Sequence, residues 1–386
     1  MRGAWRRIAP AWGVVALWLV GAPLLLACSV PVFRYALERW PADPYRVLLV
    51  HDGPLADTDK AVAAWLTKCA SPEDAIPSIV FHTVDLAAPP DAEANAEAIK
   101  ELRAKIEGRE LPLLLVHYPM TSRNPTEVWS GRLNATDAKA LLDSPLRRDV
   151  AKRLLGGDTA VWLLLESGKK AKDDAAQRLL EAELKKVEKA LKLPDMRGDP
   201  VAQRMFGDEA PSLRIGFSVV RLSRTDAAER MLVRMLLGTE EDLAGLKEPI
   251  VFPIFGRGRA LYALVGPGIN AENIQETCFF LAGPCACQIK TMNPGSDLLM
   301  MVDWDAALYG QITSAPALTG LPELVLPSPP KPQAEPTEEP PPAEQPATKQ
   351  AAGALVRNIV VAVVVGLALL AAAAFVFARR SNGVRS

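Results

Sequence analysis

Two uncharged apolar segments bracket this chain of 386 residues and restrict its fold more than any other feature. Residues 13–27 read GVVALWLVGAPLLLA, and residues 359–378 read IVVAVVVGLALLAAAAFVFA. A helix rises about 1.5 Å per residue, so the second segment would span about 30 Å, the thickness of a bilayer's hydrocarbon core. We therefore predict a transmembrane helix within residues 357–380, with the domains lying between the two segments.

The charges beside the apolar segments predict how the chain is oriented. Arginines cluster before the first segment, as they do in a secretory signal or a signal anchor. Arg379 and Arg380 directly follow the second segment, whereas Arg357 alone stands just before it. The positive-inside rule then places the C-terminus in the cytoplasm and the domains outside it. We expect a single-pass protein of a bacterial inner membrane.

Cys28 leaves two alternatives for the N-terminal segment, residues 1–28. The sequence LLAC at 25–28 resembles the lipobox of bacterial lipoprotein signals, in which the cysteine is acylated and becomes the new N-terminus. Leu26, however, stands where a small residue is more usual, and VPVFRYALERW follows without a flexible spacer. The segment is therefore either a cleaved signal that leaves Cys28 lipidated or an uncleaved anchor.

Residues 319–356 are predicted to form a proline-rich linker. Nine of the 24 residues at 327–350 are proline, and none is aromatic or a branched apolar residue. Such a composition cannot bury a core and stays extended, with a reach of roughly 75 Å in the polyproline II conformation. The linker acts either as a spacer that holds the domains off the membrane or as a ligand for a proline-binding module.

Residues 33–155 alternate between short apolar runs and amphipathic stretches, which predicts an α/β domain. The predicted order is β-α-β-α-β-β-α. Strands are expected at 45–53, 78–86, 111–119 and 126–133. Helices are expected at 57–68, 91–107 and 134–145. Pro112 precedes the third strand, Gly131 lies in the hairpin that follows, and Asn134 is placed to cap the last helix.

This order of elements, with Pro112 and Gly131 in these places, resembles the thioredoxin family. The resemblance implies a mixed sheet with flanking helices and a cis peptide bond before Pro112. It covers about 100 residues.

Residues 158–318 repeat the same plan, which predicts a second thioredoxin-like domain. Strands are expected at 159–168, 213–222, 248–255 and 259–266, and helices at 171–192, 225–238 and 268–283. Pro249 takes the place of Pro112 as the second cis-proline candidate. The words LNA at 133–135 and INA at 269–271 each begin a closing helix. Residues 194–212 are predicted to be a surface loop, and residues 298–304 a final strand.

Both domains lack the cysteine pair through which thioredoxins act. The matching stretches, HDGPLADTDK at 51–60 and ESGKKAKDD at 166–174, contain no cysteine. Thiol–disulfide exchange requires a thiolate at that place, so the resemblance implies redox-inactive modules. We predict a binding or scaffolding protein rather than an enzyme, whose partners are the membrane and an unidentified protein of a membrane assembly. The stretch from residue 28 to 55 also resembles bacterial membrane-attached proteins, which implies no activity.

Other classes of function find little support in the sequence. The net charge of −1 gives no basic surface for nucleic acid. No phosphate loop or nucleophile elbow is present, so we predict neither a cofactor nor a small-molecule substrate. His51 and His117 are expected at opposite ends of the first sheet, which disfavours a metal site.

Cys278, Cys285 and Cys287 form the one dense group of reactive side chains in the chain. Four alternatives remain open: a disulfide from Cys278 to Cys285 or Cys287, a strained bridge between Cys285 and Cys287, a soft-metal site, and buried free thiols. The alternative function is accordingly that of a protein that handles thiols, disulfides or a soft metal through this cluster.

Overall fold

The computed structural model describes residues 29–71, 79–89, 93–122, 124, 126–207, 213–285, 288–309 and 321–327. They form a mixed α/β structure with two mixed sheets and flanking helices. The predicted signal or anchor at 1–28, most of the proline-rich linker and the predicted transmembrane helix at 357–380 lie outside these residues. Within them, no helix is both long enough and apolar enough to cross a membrane.

The first sheet belongs to the first unit, defined here as residues 45–155. Its strands are β1 (Tyr45–His51), β2 (Ile79–Asp85), β3 (Leu113–His117) and β4 (Glu127–Arg132). They lie in the order β2-β1-β3-β4, with β1 parallel to β2 and antiparallel to β3. After α1 (Val32–Arg39), the helices of the first unit are α2 (Asp57–Ala70), α3 (Glu93–Lys105), α4 (Ala135–Leu142) and α5 (Pro145–Leu155).

The second sheet belongs to the second unit, residues 160–297. Its strands are β5 (Ala160–Leu165), β6 (Phe217–Leu222), β7 (Ile250–Phe255), β8 (Arg259–Ala260), β9 (Leu264–Val265) and β10 (Ser296–Asp297). The order is β10-β8-β7-β5-β6, and β9 also pairs with β7. The helices are α6 (Lys170–Ala190), α7 (Pro200–Phe206), α8 (Arg230–Leu237), α9 (Ala271–Ala282) and, beyond the unit, α10 (Trp304–Tyr309).

The two units repeat one local arrangement. In each, the first strand is parallel to the second and antiparallel to the third, as β5 is to β6 and β7. The chain leaves these first strands through Gly53 and Gly168, whose φ angles of 80° and 83° favour glycine. Asn134 and Asn270 cap the closing helices by accepting hydrogen bonds from the backbone three residues on. The two units therefore share the directions of their first three strands and the capping of their closing helices.

Alternation of side chains along the strands divides the interior into three layers. Leu49 and Leu114 of the first sheet and Leu163 and Phe252 of the second lie in one continuous central cluster between the sheets. The outer face of the first sheet packs on α3. The outer face of the second sheet, which includes Trp162, packs on α1, α6 and α9. Because the central cluster draws on both sheets, the two units share a core.

Each end of the described chain packs on the unit that is further away in sequence. Residues 29–40, which include α1, lie on the second unit, although residues 33–155 were predicted to form the first domain. Val30, Phe33 and Trp40 are apolar and become buried there. At the other end, Trp65 of α2 donates its indole N–H to the carbonyl of Pro322 at 2.6 Å. Residues 29–40 and the segment that contains Pro322 thus each connect one unit to the other.

Three predicted elements are wrong in detail. Residues 194–212 are not simply a loop, because Asp199 caps α7 and Pro200 begins it, while Val201 and Ala202 become buried. The predicted strand at 259–266 is divided into β8 and β9. Residues 298–302 are buried in the central cluster and form no strand, because burial of an apolar run does not require sheet pairing.

Candidate functional site

The first candidate site is the corner where β1 ends beside Pro112. The register pairs Val50 with Leu113, so the next position of β1, His51, lies opposite Pro112. The Leu111–Pro112 peptide bond is cis. The Pro112 carbonyl accepts a hydrogen bond from the Leu133 amide at 2.8 Å. This corner is where the resemblance to thioredoxins would place a catalytic cysteine pair.

The polar groups of this first corner bind one another. Asp85, at the end of β2, accepts hydrogen bonds at 2.9 Å from the amides of Gly53 and Ala87. The bond from Gly53 is the main reason that the pKa of Asp85 lies below its ordinary value. His51 lies 2.7 Å through Nδ1 from the Gly53 carbonyl and 3.7 Å from Asp85. The loop at 52–56 carries no thiol or hydroxyl, so the His–Asp pair braces the loop and has no adjacent nucleophile to activate.

The second candidate site is the equivalent corner of the second unit, where β5 ends. The register pairs Leu165 with Ile250, which brings Glu166 opposite Pro249. Arg221 of β6 donates to the Glu166 carboxylate at 2.5 Å and to the carboxylate of Asp174, on α6, at 2.8 Å.

The charged side chains of the second corner are engaged: Arg221 binds Glu166 and Asp174, and Arg224 donates to the carbonyl of Glu166 at 2.8 Å. Hydrogen bonds from Lys170 and from Arg221 lower the pKa of Asp174 to about 2. The bond to Asp174 raises the pKa of Arg221 above its ordinary value. The second corner is therefore closed by charged groups that neutralise one another.

The peptide bond before Pro249 is not cis, in contrast to the expectation for both prolines. Among the described residues, the cis bond at Pro112 has no counterpart. Trans is the lower-energy state of an X–Pro bond, and Pro249 joins its sheet with that geometry. Its carbonyl accepts from the Gly266 amide at 2.9 Å, as the Pro112 carbonyl does from Leu133. The two prolines thus share a place in the fold but differ in isomer.

The cysteine cluster is only partly described. Cys278 is a fully buried free thiol in α9, and burial raises its pKa far above the ordinary value. Cys285 is also buried, and its amide donates to the Val30 carbonyl at 2.9 Å. Cys287 and the lipidation candidate Cys28 lie outside the described residues. Cys278 and Cys285 are therefore not bridged to each other, and Cys278 is protected from thiolate chemistry.

The histidines are spread along the first sheet. His117 pairs with Arg46 at the start of β1, whereas His51 is the last residue of that strand, as the expected topology requires. Burial lowers the pKa of His117 to about 4. Within the described ranges, no three His, Cys, Asp or Glu side chains are grouped to hold a metal ion.

A third feature was not found by sequence reasoning: a cleft at the junction of the two units, here called the junction cleft. It has a volume of about 430 Å³ and lies between the loop after β3, the residues before β10, and β8. Met292 lines the cleft and is 71% exposed, and Met120, which is 59% exposed, lies in the chain between the lining residues Pro119 and Thr121. The sequence signalled only the Asn-Pro-Gly turn at 293–295.

The floor of the junction cleft is a buried charge network. Asp297 binds Arg259 at 2.8 Å and also binds Lys290. Lys290 pairs with Asp43 at 2.9 Å, and the Asp43 amide donates to Asp297 at 2.8 Å. These groups neutralise one another and fix residues 290–297 against the chain that enters β1. The junction cleft therefore combines a rigid, charge-matched floor with flexible thioether side chains, which adapt to apolar surfaces.

Comparison of the chain with protein-family models, with curated proteins and with solved structures gave no match.

Proposed function

We propose that the protein is a membrane-tethered extracytoplasmic scaffold, built from two thioredoxin-like units that lack the catalytic cysteine pair. The strand order β2-β1-β3-β4, and its counterpart around β5 and β7, supports the thioredoxin-like assignment. So does the placement of Pro112 and Pro249 opposite the ends of β1 and β5.

The absence of a thiol from the two strand-end corners favours a scaffold over a catalyst. Both strand-end corners keep the turn glycine and the facing proline, yet neither carries a thiol. The first corner is occupied by the His51–Asp85 brace and the second by the ion pairs of Arg221. Groups already engaged in internal hydrogen bonds hold a shape, whereas catalysis requires an activated nucleophile or a proton donor aimed at a substrate.

The junction cleft is the surface best suited to a protein partner. Contacts in protein interfaces concentrate on apolar side chains that become buried, and methionine is enriched among them. Met292 supplies such a side chain in the lining of the cleft, and the exposed Met120 lies next to the lining residues Pro119 and Thr121. The floor below carries the paired charges of Arg259 and Asp297. A partner that docks there therefore covers Asp43, Arg259, Lys290 and Asp297 with their charges already paired. The partner is accordingly a protein that presents an apolar segment, held in the same membrane assembly.

The tethering rests on the sequence. Apolar residues at 359–378, followed by Arg379 and Arg380, support a transmembrane helix with a cytoplasmic C-terminus. A reporter that functions only in the cytoplasm should be active when it is fused after Ser386. A reporter that functions only after export should be inactive there.

Labelled fatty acid should enter the wild-type chain but not Cys28→Ser if Cys28 is lipidated, and absence of label from the wild type would identify the uncleaved anchor.

The scaffold function is tested with a photo-crosslinking amino acid placed in the full chain in its native membrane. Substitution at Met120 or Met292 should yield one discrete crosslinked protein, the same from both positions. The matched control is Lys100, which is exposed on α3 on the outer face of the first sheet. Equal crosslinking from Lys100 would contradict docking at the junction cleft.

The alternative function is tested on the same purified chain. We expect no catalysed thiol–disulfide exchange and no bound metal. Exchange activity that disappears in Cys278→Ser, Cys285→Ser or Cys287→Ser would overturn the scaffold proposal in favour of a thiol-handling protein.

A further inference from the structure

Ser29, the first described residue, is clamped to the second unit through Asp199. The Ser29 amide donates to Asp199 Oδ2 at 2.7 Å, and its hydroxyl donates to the same oxygen. The other carboxylate oxygen, Oδ1, accepts from the amides of Val201 and Ala202 at 2.7 and 2.9 Å. Because both oxygens are engaged, Asp199 joins the entering chain rigidly to the first turn of α7.

The next residues extend this attachment. Val30 is fully buried, and its carbonyl accepts from the Cys285 amide. The Val32 amide donates to the Gly283 carbonyl at 2.9 Å, and Pro31 forms a β-bridge with Pro284. Residues 29–32 are therefore held on the second unit by one β-bridge and the hydrogen bonds beside it, with no slack between Ser29 and the folded body.

The apolar segment that precedes this attachment is close in sequence. Only Cys28 separates Ala27, the last residue of the segment, from Ser29. An extended chain advances at most about 3.6 Å per residue, so the end of the segment lies within roughly 7 Å of Ser29. The distance is no greater if Cys28 is cleaved and lipidated, because the acyl chains are then attached to the residue next to Ser29.

We propose that the face of the second unit formed by residues 192–207, here called the α7 face, lies against the lipid headgroups of the membrane. The inference rests on the membrane tether of the proposed function and adds to it the side of the protein that contacts the bilayer. The proline-rich linker at the other end imposes no such orientation, because its extended reach is roughly 75 Å.

The side chains of the α7 face suit a lipid surface. Lys192, Arg197 and Arg204 are exposed, and Arg197 is paired at 2.7 Å with the exposed Asp195. Long basic side chains place their charge among headgroup phosphates while their stems lie on apolar surface. Phe206 at the end of α7 is half-buried, with the guanidinium of Arg34 5.6 Å from its ring centroid.

Helix α3 lies on the opposite side of the fold and serves as the reference for lipid contact of the α7 face. The residues of α7 pack into the outer cluster of the second sheet, whereas α3 packs on the outer face of the first sheet. The central cluster and both sheets separate them. The proposal therefore predicts that α3 is held away from the bilayer when the α7 face lies against it.

The test uses the full chain in vesicles of phosphatidylcholine that contain a lipid with a photoreactive headgroup, and mass spectrometry locates the lipid adducts. Adducts should be at least about fivefold more frequent in residues 192–207 than in α3. A flexible spacer of about 20 residues inserted between Cys28 and Ser29 lengthens the tether whether or not Cys28 is lipidated, and should reduce the adducts on the α7 face by about fivefold or more. The same spacer inserted in the proline-rich linker is the matched control and should leave them unchanged.

Two results would overturn the proposal: equal adduct frequency on α3 and the α7 face, or adducts that do not respond to the spacer after Cys28. Flotation of the vesicles separates this failure from failure of the tether. A chain that floats with the vesicles but shows no preference for the α7 face refutes only this inference, whereas a chain that does not float refutes the membrane tether itself.

Discussion

Tyr118, which follows β3 in the first unit, places its hydroxyl 2.9 Å from the carbonyl of Met235 in α8 of the second unit. The side chain is almost fully buried, and burial raises the pKa of the phenol. Gly238 ends α8 so close to this ring that a Cβ there would lie 2.0 Å from the hydroxyl oxygen. This hydrogen bond and this close approach join the two units, together with the ion pair between Asp137 and Arg230.

Substitution of Tyr118 or Gly238 should destabilise the protein. Tyr118→Phe leaves the Met235 carbonyl with a lost hydrogen bond in a buried site, which costs about 1–2 kcal/mol. Gly238→Ala forces its new methyl group into the hydroxyl and should cost about 1–3 kcal/mol. Both are measured as the shift of the thermal unfolding midpoint of the full chain.

The double variant distinguishes this contact from a general loss of stability. Tyr118→Phe removes the hydroxyl oxygen that a Cβ at Gly238 would contact. The summed destabilisation of the two single variants should therefore exceed the destabilisation of the double variant. The control is Gly245→Ala, where a Cβ meets no atom within 4 Å. Strict additivity of the two substitutions would show that the contact does not form.

The sequence predicted local elements well and their partners poorly. The spacing of apolar residues predicted β1, α6 and β7, because each is an apolar or amphipathic stretch with clear boundaries in the sequence. It could not place α1 on the second unit, since an amphipathic segment is equally apolar whichever surface it covers. The same limit hid the junction cleft, because its lining residues Thr121 and Met292 are distant in sequence and lie in one cleft only through the packing of the two units.

The site predictions had a similar limit. Absence of cysteine at 51–60 and 166–174 is read directly from the chain, and the corners contain no thiol for that reason. The isomer of Pro249 depends on the tertiary environment, and a spacing of prolines carries no information about it. Burial of Cys278 likewise follows from the packing of α9 on α6, which a motif does not describe.

His117 should make stability depend on pH below neutrality. Its imidazole is half-buried beside Lys105, Arg46 and Arg109, with Glu127 opposing them, and burial lowers its pKa to about 4. The unfolded chain, with an ordinary pKa of about 6.5, binds the proton first. Stability is therefore complete above about pH 6.5 and falls as pH decreases toward 4, by about 2–3 kcal/mol.

The check is the unfolding midpoint of the full chain between pH 7 and 4.5, compared with His117→Gln. The variant should show a smaller loss over this range. His82, whose pKa burial also lowers, accounts for part of the remaining slope. A wild-type midpoint that is constant from pH 7 to 4.5 would exclude the buried neutral state of His117.

The helix caps of the repeat should be energetically equivalent. The Asn134 side chain accepts from the Asp137 amide at 2.8 Å, and that of Asn270 accepts from Asn273 at 3.0 Å. Asn134→Ala and Asn270→Ala should each cost about 1 kcal/mol. The controls Asn134→Ser and Asn270→Ser keep a capping acceptor and add no carboxylate beside Asp137, so they should cost less. A Ser substitution as costly as Ala would argue against capping.

Cys278 should react with thiol reagents only when the protein unfolds. The thiol is fully buried in α9, and its high pKa keeps it protonated at neutral pH. In the full chain with Cys28, Cys69, Cys285 and Cys287 replaced by Ser or Ala, alkylation at pH 8 should be slower by at least about a hundredfold than in denaturant. The variant Phe279→Cys is the matched control, because the adjacent Phe279 is 57% exposed and should be alkylated at once. Rapid modification of native Cys278 would mean that α9 opens readily, and would restore the cysteine cluster as a candidate for thiol chemistry.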